Sequence, residues 1–222
     1  MIVRAVAELA GTSSDGTVLD PFCGTGSFLW AMMDRAGGSE APVEFVGVEL
    51  NERLADLARM IARTAPLPTT IETGDAFQAR LPKADLVLAA PPLGMRSQAA
   101  RPLRDGSATT DISVVAVDLV LRQLRPGGRA VLHVAAGFTV HSANERFRKY
   151  LAHEYRVAAL LGLPAGAVPG TGVRSVLMVI DRTEPGETFV AQLGEDWEAQ
   201  LSPGGAALMA AVAHIDGDRS EH

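Results

Sequence analysis

The sequence predicts an α/β fold in which a mostly parallel, doubly wound sheet carries helices on both of its faces. Two observations predict this class: short apolar runs alternate with segments of helical spacing, and turns rich in glycine and proline separate them. Seven such apolar runs predict a seven-stranded sheet. The 222 residues fit one ordinary domain and can bury a substantial core.

The elements follow from these patterns in chain order. The apolar runs place strands at residues 17–20, 44–49, 69–72, 85–90, 129–135, 156–161 and 175–181. Helical spacing predicts helices at residues 27–35, 51–64, 112–124 and 143–153. The pattern then weakens, and we expect a short helix within residues 197–213 and a frayed tail at residues 216–222. We therefore divide the chain into a domain of residues 1–181 and an extension of residues 182–222.

Composition and charge exclude several classes of protein. Hydrophobic residues make up 47% of the chain and charged residues 21%, which is typical of a globular domain. No apolar run approaches the roughly 18 residues that a membrane span requires, so we expect no membrane contact. One cysteine, Cys23, suits a reducing cytoplasm and excludes an internal disulfide. No cysteine and histidine residues have the spacing of a zinc site, so we expect no metal.

The net charge of −6 argues against a domain that holds nucleic acid unaided, since phosphate contacts need basic side chains. The local exception is residues 95–104, which carry Arg96, Arg101 and Arg104 without an acidic residue. We interpret this segment as an exposed loop. Its arginines are either solvated surface residues or contacts to nucleic acid.

The first candidate site is the turn after the first predicted strand, which reads Asp20, Pro21, Phe22, Cys23, Gly24, Thr25, Gly26 and Ser27. Gly24 and Gly26 permit a tight turn and let a ligand approach the backbone closely. The helix that follows offers free N–H groups and a positive dipole end, which suit a carboxylate such as that of methionine. The simpler interpretation is an ordinary glycine-rich turn between a strand and a helix.

Two further strand ends carry acidic residues. Glu49 and Leu50 end the second predicted strand, and Asp75, Ala76 and Phe77 follow the third. In a doubly wound sheet, ligands bind at the carboxyl ends of the strands. There Glu49 can accept hydrogen bonds from ribose hydroxyls, and Asp75 can accept one from an adenine amino group. Taken alone, Glu49 also fits a surface acid and Asp75 a helix cap, but together they predict a cofactor that contains adenosine.

The stretch from Asp20 to Gly26 resembles the cofactor loop of DNA methyltransferases that methylate amino groups, and it lacks the G-x-G-x-x-G spacing of nicotinamide-binding folds. Residues 47–60 are similar to the modification subunits of type I restriction systems. Residues 161–164 and 171–180 resemble the antiparallel closing hairpin of those subunits. The resemblance implies a class I, Rossmann-like methyltransferase fold with an antiparallel final hairpin.

The resemblance also implies the cofactor and the residues that hold it. The cofactor is S-adenosylmethionine, and Asp20 with the turn at residues 24–27 faces its methionine moiety. Glu49 holds the ribose, and Asp75 with Phe77 holds the adenine. The family's amino-terminal helical domain and its aromatic-Thr-Pro segment have no counterpart in this sequence. We therefore expect either a domain of a longer protein or a truncated relative, which needs additional domains or a specificity subunit to hold DNA.

The motif for the target base follows the fourth predicted strand as Ala90, Pro91, Pro92 and Leu93. The family has Asn, Asp or Ser at the first position and Tyr or Phe at the fourth. The polar side chain and a backbone carbonyl accept hydrogens of the adenine amine, and the ring stacks on the base after it leaves the duplex. Ala90 has no acceptor, and the loss of such a group raises the activation free energy by about 2.7–4 kcal/mol. Leu93 has no ring, and the loss of a base-stacking ring weakens binding of the base by about 1–3 kcal/mol.

Three interpretations of function remain open at this point. The first is an N6-adenine DNA methyltransferase of a restriction-modification or related DNA-modification system, which either scarcely turns over or is active with the missing acceptor supplied from elsewhere. The second is a non-catalytic scaffold or regulatory domain with the same fold. The third is a methyltransferase for RNA, protein or a small metabolite.

Overall fold

The computed structural model describes residues 1–11, 16–36 and 43–217. Within these residues the strands are β1 (Gly16–Asp20), β2 (Val43–Glu49), β3 (Thr69–Thr73), β4 (Ala84–Ala89), β5 (Arg96–Pro102), β6 (Ala108–Asp111), β7 (Leu124–Ala135), β8 (Arg156–Leu163), β9 (Ser175–Asp181) and β10 (Phe189–Gln192). The helices are α1 (Ile2–Ala10), α2 (Ser27–Ala36), α3 (Glu52–Ala62), α4 (Ile112–Gln123), α5 (Gly137–Val140), α6 (Glu145–Glu154), α7 (Trp197–Gln200) and α8 (Ala206–Gly217).

Eight of the described strands form one sheet in the order β10-β8-β9-β7-β4-β1-β2-β3. Its strands run parallel except β9, which is antiparallel to both β7 and β8. The predicted parallel sheet with an antiparallel hairpin is therefore confirmed. The predicted count of seven strands is wrong, because β10 adds an edge strand beside β8. That strand has four residues and an alternating, half-exposed pattern, which is too short a signal to predict a strand.

Two hydrophobic clusters fill the two faces of the sheet. One contains buried residues of α1, α2, α3 and α8, and the other contains those of α4 and α6. β4 contributes to both, since Leu86 and Leu88 belong to the first cluster and Val87 to the second. Successive side chains of a strand point to opposite faces, so the sheet is covered by helices on both sides.

A buried row of charged residues crosses three neighbouring strands. The register places Asp181 of β9 beside Arg129 of β7 and Arg156 of β8. The Asp181 carboxylate accepts from Arg129 Nε at 2.7 Å and from Arg156 Nη1 at 3.3 Å. The guanidinium groups also donate to carbonyls at helix ends: Arg129 to Leu9 O of α1, and Arg156 to Ile215 O of α8, each at 3.2 Å. The first and last described helices are thus fixed to the sheet through one group of ions.

The chain after β9 differs from the prediction of a single helix within residues 197–213. Two helices, α7 and α8, lie there, and Pro203, Gly204 and Gly205 separate them. Proline lacks an N–H and glycine weakens a helix, so this tripeptide ends α7. Of the predicted tail only residues 216 and 217 are described; they end α8, and the other five lie outside the described residues. The division of the chain at residue 181 stays a prediction.

Residues 95–104 were predicted to form an exposed loop; most of them are exposed, but the prediction of a loop is wrong. They contain β5, which pairs with β6 in an antiparallel hairpin. Its turn is anchored to the domain: the backbone N–H of Arg104 donates to Asp118 of α4 at 3.2 Å, and Leu103 is buried. The strand was not predicted because β5 has no apolar face and its residues are almost all polar or exposed.

Candidate functional site

The glycine-rich turn joins β1 to α2 and adopts a backbone that favours glycine. Gly24 has φ 56° and Gly26 has φ 88°, and both values lie in the left-handed region. A Cβ atom at Gly26 would lie 2.5 Å from the indole ring of Trp30, so the ring packs directly against the turn. The indole Nε1 donates to the carbonyl of Thr25 at 2.7 Å. Trp30 was not predicted as a site residue, although it lies one helical turn beyond Gly26.

Glu49 connects the end of β2 to this turn. Its Oε2 accepts a hydrogen bond from the backbone N–H of Gly24 at 2.8 Å, and its Oε1 accepts one from the N–H of Asn51 at 2.8 Å. Asn51 in turn caps α3 by accepting from the backbone N–H of Arg53 and Leu54. The carboxylate is therefore held at the adjacent ends of two parallel strands, where the doubly wound fold places ligands.

Asp20 is buried at the end of β1, with 1% of its surface exposed. Burial, together with the nearby Glu49 carboxylate, raises the pKa of Asp20 to about 7, although the N–H of Phe22 donates to its Oδ1 at 3.0 Å. Burial also raises the pKa of the Cys23 thiol, which stays protonated at neutral pH. Asp20 is thus sensitive to a positive charge placed beside it, whereas Cys23 serves as a packing residue.

Asp75 follows β3 and shapes its own turn. Its Oδ1 accepts from the backbone N–H of Phe77 at 2.9 Å, and its Oδ2 accepts from the side chain of Gln78 at 2.7 Å. The ring of Phe77 lies 5.5 Å from that of Phe22, centroid to centroid. The described residues contain no helix between β3 and β4, so Asp75 is not a helix cap; its bonds form a turn and fix its carboxylate next to an aromatic pair.

One cavity of about 390 Å³ joins these strand ends. From the first two strand ends it is lined by Pro21, Phe22, Glu49 and Leu50, and from the third by Asp75, Ala76 and Phe77. Ala90 and Pro92 of the predicted target-base motif also line it. Nine of the predicted site residues are therefore brought together in one cavity.

The remaining predicted residues do not line this cavity. They are Asp20, Cys23, Gly24, Thr25, Gly26, Ser27, Pro91 and Leu93. Asp20, Cys23, Gly26 and Pro91 are buried, and Ser27 is exposed on α2. Gly24 reaches the cavity edge through its hydrogen bond to Glu49. The group predicted for the methionine moiety thus lies beside the cavity rather than in its wall.

Met95 and Ile112 line the cavity and were not predicted. They lie at the two roots of the β5–β6 hairpin, where the N–H of Ile112 donates to the carbonyl of Met95 at 3.1 Å. No sequence signal marks them, because their position depends on the hairpin that was mistaken for a loop.

The part of the chain that the structure describes contains no group of three or more His, Cys, Asp or Glu side chains that could hold a metal ion. In the same residues, every helix is too short or too polar to cross a membrane.

Comparison with known proteins places this chain in a family. The sequence model of the N-6 DNA Methylase family matches residues 1–199. The type II methyltransferase M.TthHB8I of Thermus thermophilus is 26% identical over 229 residues, covering 90% of this chain and 50% of that protein. A demethylmenaquinone methyltransferase of Deinococcus radiodurans is 32% identical over 165 residues, covering 74% and 62%.

Among solved structures, the methyltransferase subunit of a type I restriction-modification system from Streptococcus thermophilus matches with a TM-score of 0.79 and 18% identity, covering 95% of this chain and 52% of that one. The chain thus spans less than two thirds of the length of each of these three proteins. The structural likeness shows the fold of the class I S-adenosylmethionine-dependent methyltransferases. Since the family model covers most of the sequence, the chain belongs to the N-6 DNA Methylase family.

Proposed function

We propose that this chain binds S-adenosylmethionine in the cavity at the strand ends and acts as a methyltransferase domain of the N6-adenine DNA methylase type. One observation carries the proposal: Glu49 and Asp75, from different strand ends, line the same cavity, and Glu49 contacts the glycine turn. The assignment of the individual site residues is part of the proposal.

The residues present fit this cofactor in size and charge. A cavity of about 390 Å³ lies in the range of roughly 300–1,000 Å³ that holds small ligands. Its walls are apolar except for two carboxylates, and no Lys, Arg or His is among the described residues that line it. The positively charged sulfonium of S-adenosylmethionine suits a cavity whose charged lining side chains are both acidic.

The turn has room for a ligand against its backbone. A Cβ atom built at Gly24 would meet no atom within 4 Å, so the space over this residue is open. Ser27 begins α2, whose free N–H groups favour a carboxylate. We assign the methionine moiety to this end of the site, beside Asp20 and residues 24–27.

Each residue then has one task. Glu49, already fixed by two backbone N–H groups, accepts the ribose hydroxyls. Asp75 accepts the adenine amine, and Leu50 and Phe77 form apolar walls beside it. The cofactor, when bound, supplies an electrophilic methyl group. The protein's own contribution is to orient that group toward the segment at residues 90–93.

The target side of the site is incomplete for adenine. Ala90 and Pro92 line the cavity, Pro91 is buried, and Leu93 is half-buried. No side-chain oxygen at position 90 can accept a hydrogen of the adenine amine, and no ring at position 93 can stack on the base. Loss of one such polar group slows a reaction about 100- to 1,000-fold. We therefore propose that adenine methylation by this site is slow.

The same observation favours a second candidate, methyl transfer to a substrate other than DNA. A nucleophile that needs no amine clamp would tolerate Ala90 and Leu93. The Deinococcus radiodurans relative is by its name a demethylmenaquinone methyltransferase. Transfer of labelled methyl groups to adenine-containing DNA, measured against transfer to quinol substrates, separates the two candidates.

Titration calorimetry with S-adenosylhomocysteine tests cofactor binding. We expect wild type to bind, and Glu49→Ala to bind about 10- to 100-fold more weakly, since a hydrogen bond to a charged group contributes about 1.5–3 kcal/mol. Glu52→Ala is the matched control, because Glu52 is exposed in the first turn of α3 and lines no part of the cavity. Absence of binding by wild type at millimolar ligand would reject the proposed function.

A further inference from the structure

A second cavity of about 380 Å³ lies next to the first. Met95 lines both cavities, so the two cavities share one residue. The second cavity is bounded by Gly94, which follows the target-base motif, and by Val173 in the segment before β9. A Cβ atom at Gly94 would lie 3.9 Å from Val173, which shows how closely these two segments approach.

Two arginines from distant parts of the sequence line this second cavity, namely Arg96 and Arg174. Arg96 begins β5, and Arg174 is fixed by its carbonyl, which accepts from the N–H of Ala136 at 2.9 Å. Within the described residues, neither guanidinium has a carboxylate oxygen within the 4.0 Å of an ion pair. Arg96 makes one long contact, 3.4 Å from Nη1 to the hydroxyl of Thr110.

The acid in this cavity does not neutralise the pair. Asp111 lies opposite Arg96 in the hairpin register, but its Oδ1 accepts from the N–H of Ser113 at 3.0 Å and caps α4. His141 also lines the cavity. The residues that line this cavity therefore include two arginines and one aspartate whose carboxylate caps a helix, in a chain whose net charge is −6.

The structure also separates Arg96 from the other two arginines of its segment. Arg101 packs over the ring of Phe77, with its Cζ 4.7 Å from the ring centroid. Arg104 donates to the hydroxyl of Tyr155. Arg96 is the member of the three that lines the second cavity.

We propose that Arg96 and Arg174 bind a backbone phosphate of a nucleic-acid strand whose base lies beside residues 90–93. Planar guanidinium groups bind phosphate oxygens through paired, charge-assisted hydrogen bonds. The second cavity borders the target-base motif. Of the described residues that line the two cavities, Met95 is the one that they share. This inference rests on the proposed function, since it assigns the ligand next to the methyl-transfer site.

Fluorescence anisotropy with a labelled, adenine-containing single strand of about 12 nucleotides tests the inference. The variant is Arg96→Gln with Arg174→Gln. The control is Arg4→Gln with Arg63→Gln, which removes the same charge from two exposed residues on α1 and after α3. We expect the cavity variant to bind at least about 10-fold more weakly. The magnitude of the slope of log K against log salt should fall by about 0.7, because the two arginines share one phosphate and each neutralised phosphate on a single strand contributes about 0.7.

The outcomes separate this inference from the proposed function. Equal losses in the cavity variant and the control would overturn it, as would no binding of the strand by wild type. In both cases retained binding of S-adenosylhomocysteine leaves the proposed function standing. Competition identifies the source of the phosphate: deoxyadenosine monophosphate or inorganic phosphate that binds as tightly as the strand would assign the cavity to a free anion and overturn the inference. Circular dichroism checks that both double variants fold.

Discussion

The guanidinium of Arg101 lies over the ring of Phe77, 4.7 Å from its centroid, although the two residues come from a hairpin and from the turn after β3. The ring of Phe77 also contacts the ring of Phe22. The hairpin that carries Arg101 is anchored at its turn through Asp118. The aromatic wall of the cavity is thus supported before any ligand enters, and the chain itself supplies the support.

Arg101→Met should weaken binding of S-adenosylhomocysteine about 2- to 5-fold. The substitution keeps most of the side-chain length but removes a cation–π contact of about 0.5–1 kcal/mol. Arg101→Lys should retain part of the affinity. Gln98→Met on the same hairpin is the control, since Gln98 is exposed. If calorimetry finds that Arg101→Met binds S-adenosylhomocysteine as tightly as wild type, Arg101 does not support the binding site.

Asp20 makes the stability of the protein depend on pH. Its pKa is about 7 in the folded chain and 3.8 ordinarily, so between these values the unfolded chain ionises while the folded chain keeps the proton. The free energy of unfolding therefore falls as pH rises from about 4 to about 7 and levels off above. Asp20→Asn, which keeps an oxygen for the N–H of Phe22, should lose less stability between about pH 5 and pH 8. Urea unfolding of wild type and Asp20→Asn at both pH values measures the change in unfolding free energy. An equal change in the two proteins would contradict the prediction.

Ala90→Asn combined with Leu93→Phe should raise methyl transfer to adenine-containing DNA. The pair restores an acceptor for the amine and a ring for the base, and the acceptor alone is worth about 100-fold or more. Ala90→Val with Leu93→Phe is the control, because valine adds volume without an acceptor. Incorporation of labelled methyl groups is the measurement. Strong wild-type activity that the double change leaves unimproved would show that the clamp is not what limits this site.

Asp181→Ala should destabilise the fold by about 3–5 kcal/mol, because it removes the buried acceptor that two guanidinium groups share. Asp56→Ala is the matched control. It breaks the exposed pair with Arg59, whose nitrogen lies 2.7 Å from the carboxylate, and should cost less than about 1 kcal/mol. Denaturant unfolding compares the two variants, and similar small losses would show that the buried group adds little.

Three of the strands that end at the site, β1, β2 and β4, were predictable because each contains a run of apolar residues with an acid or a turn at its end. β2 and β4 were placed within about one residue of their observed bounds, and this fixed Glu49 and the segment after Ala89 at the carboxyl edge of the sheet. The break between α7 and α8 was readable from Pro203, Gly204 and Gly205, which are turn residues, but the helical spacing around them outweighed it.

There is a physical reason why the residues that support the site could not be predicted. Arg101, Met95 and Ile112 are placed by the β5–β6 hairpin. That hairpin is held by distant anchors such as Asp118 rather than by an apolar pattern of its own. Local sequence therefore indicates the strand ends of the cavity but not its opposite wall.

The buried carboxylate of Asp181 has a consequence for how the molecule opens. Its two guanidinium partners also hold the carbonyls of Leu9 and Ile215, so neither terminal helix can detach without breaking a bond to a desolvated charge. Fraying from either end is then costly, and amide protons of α1 and α8 should exchange with deuterium in step with those of the central strands. We therefore expect both ends of the described chain to unfold together with the central strands.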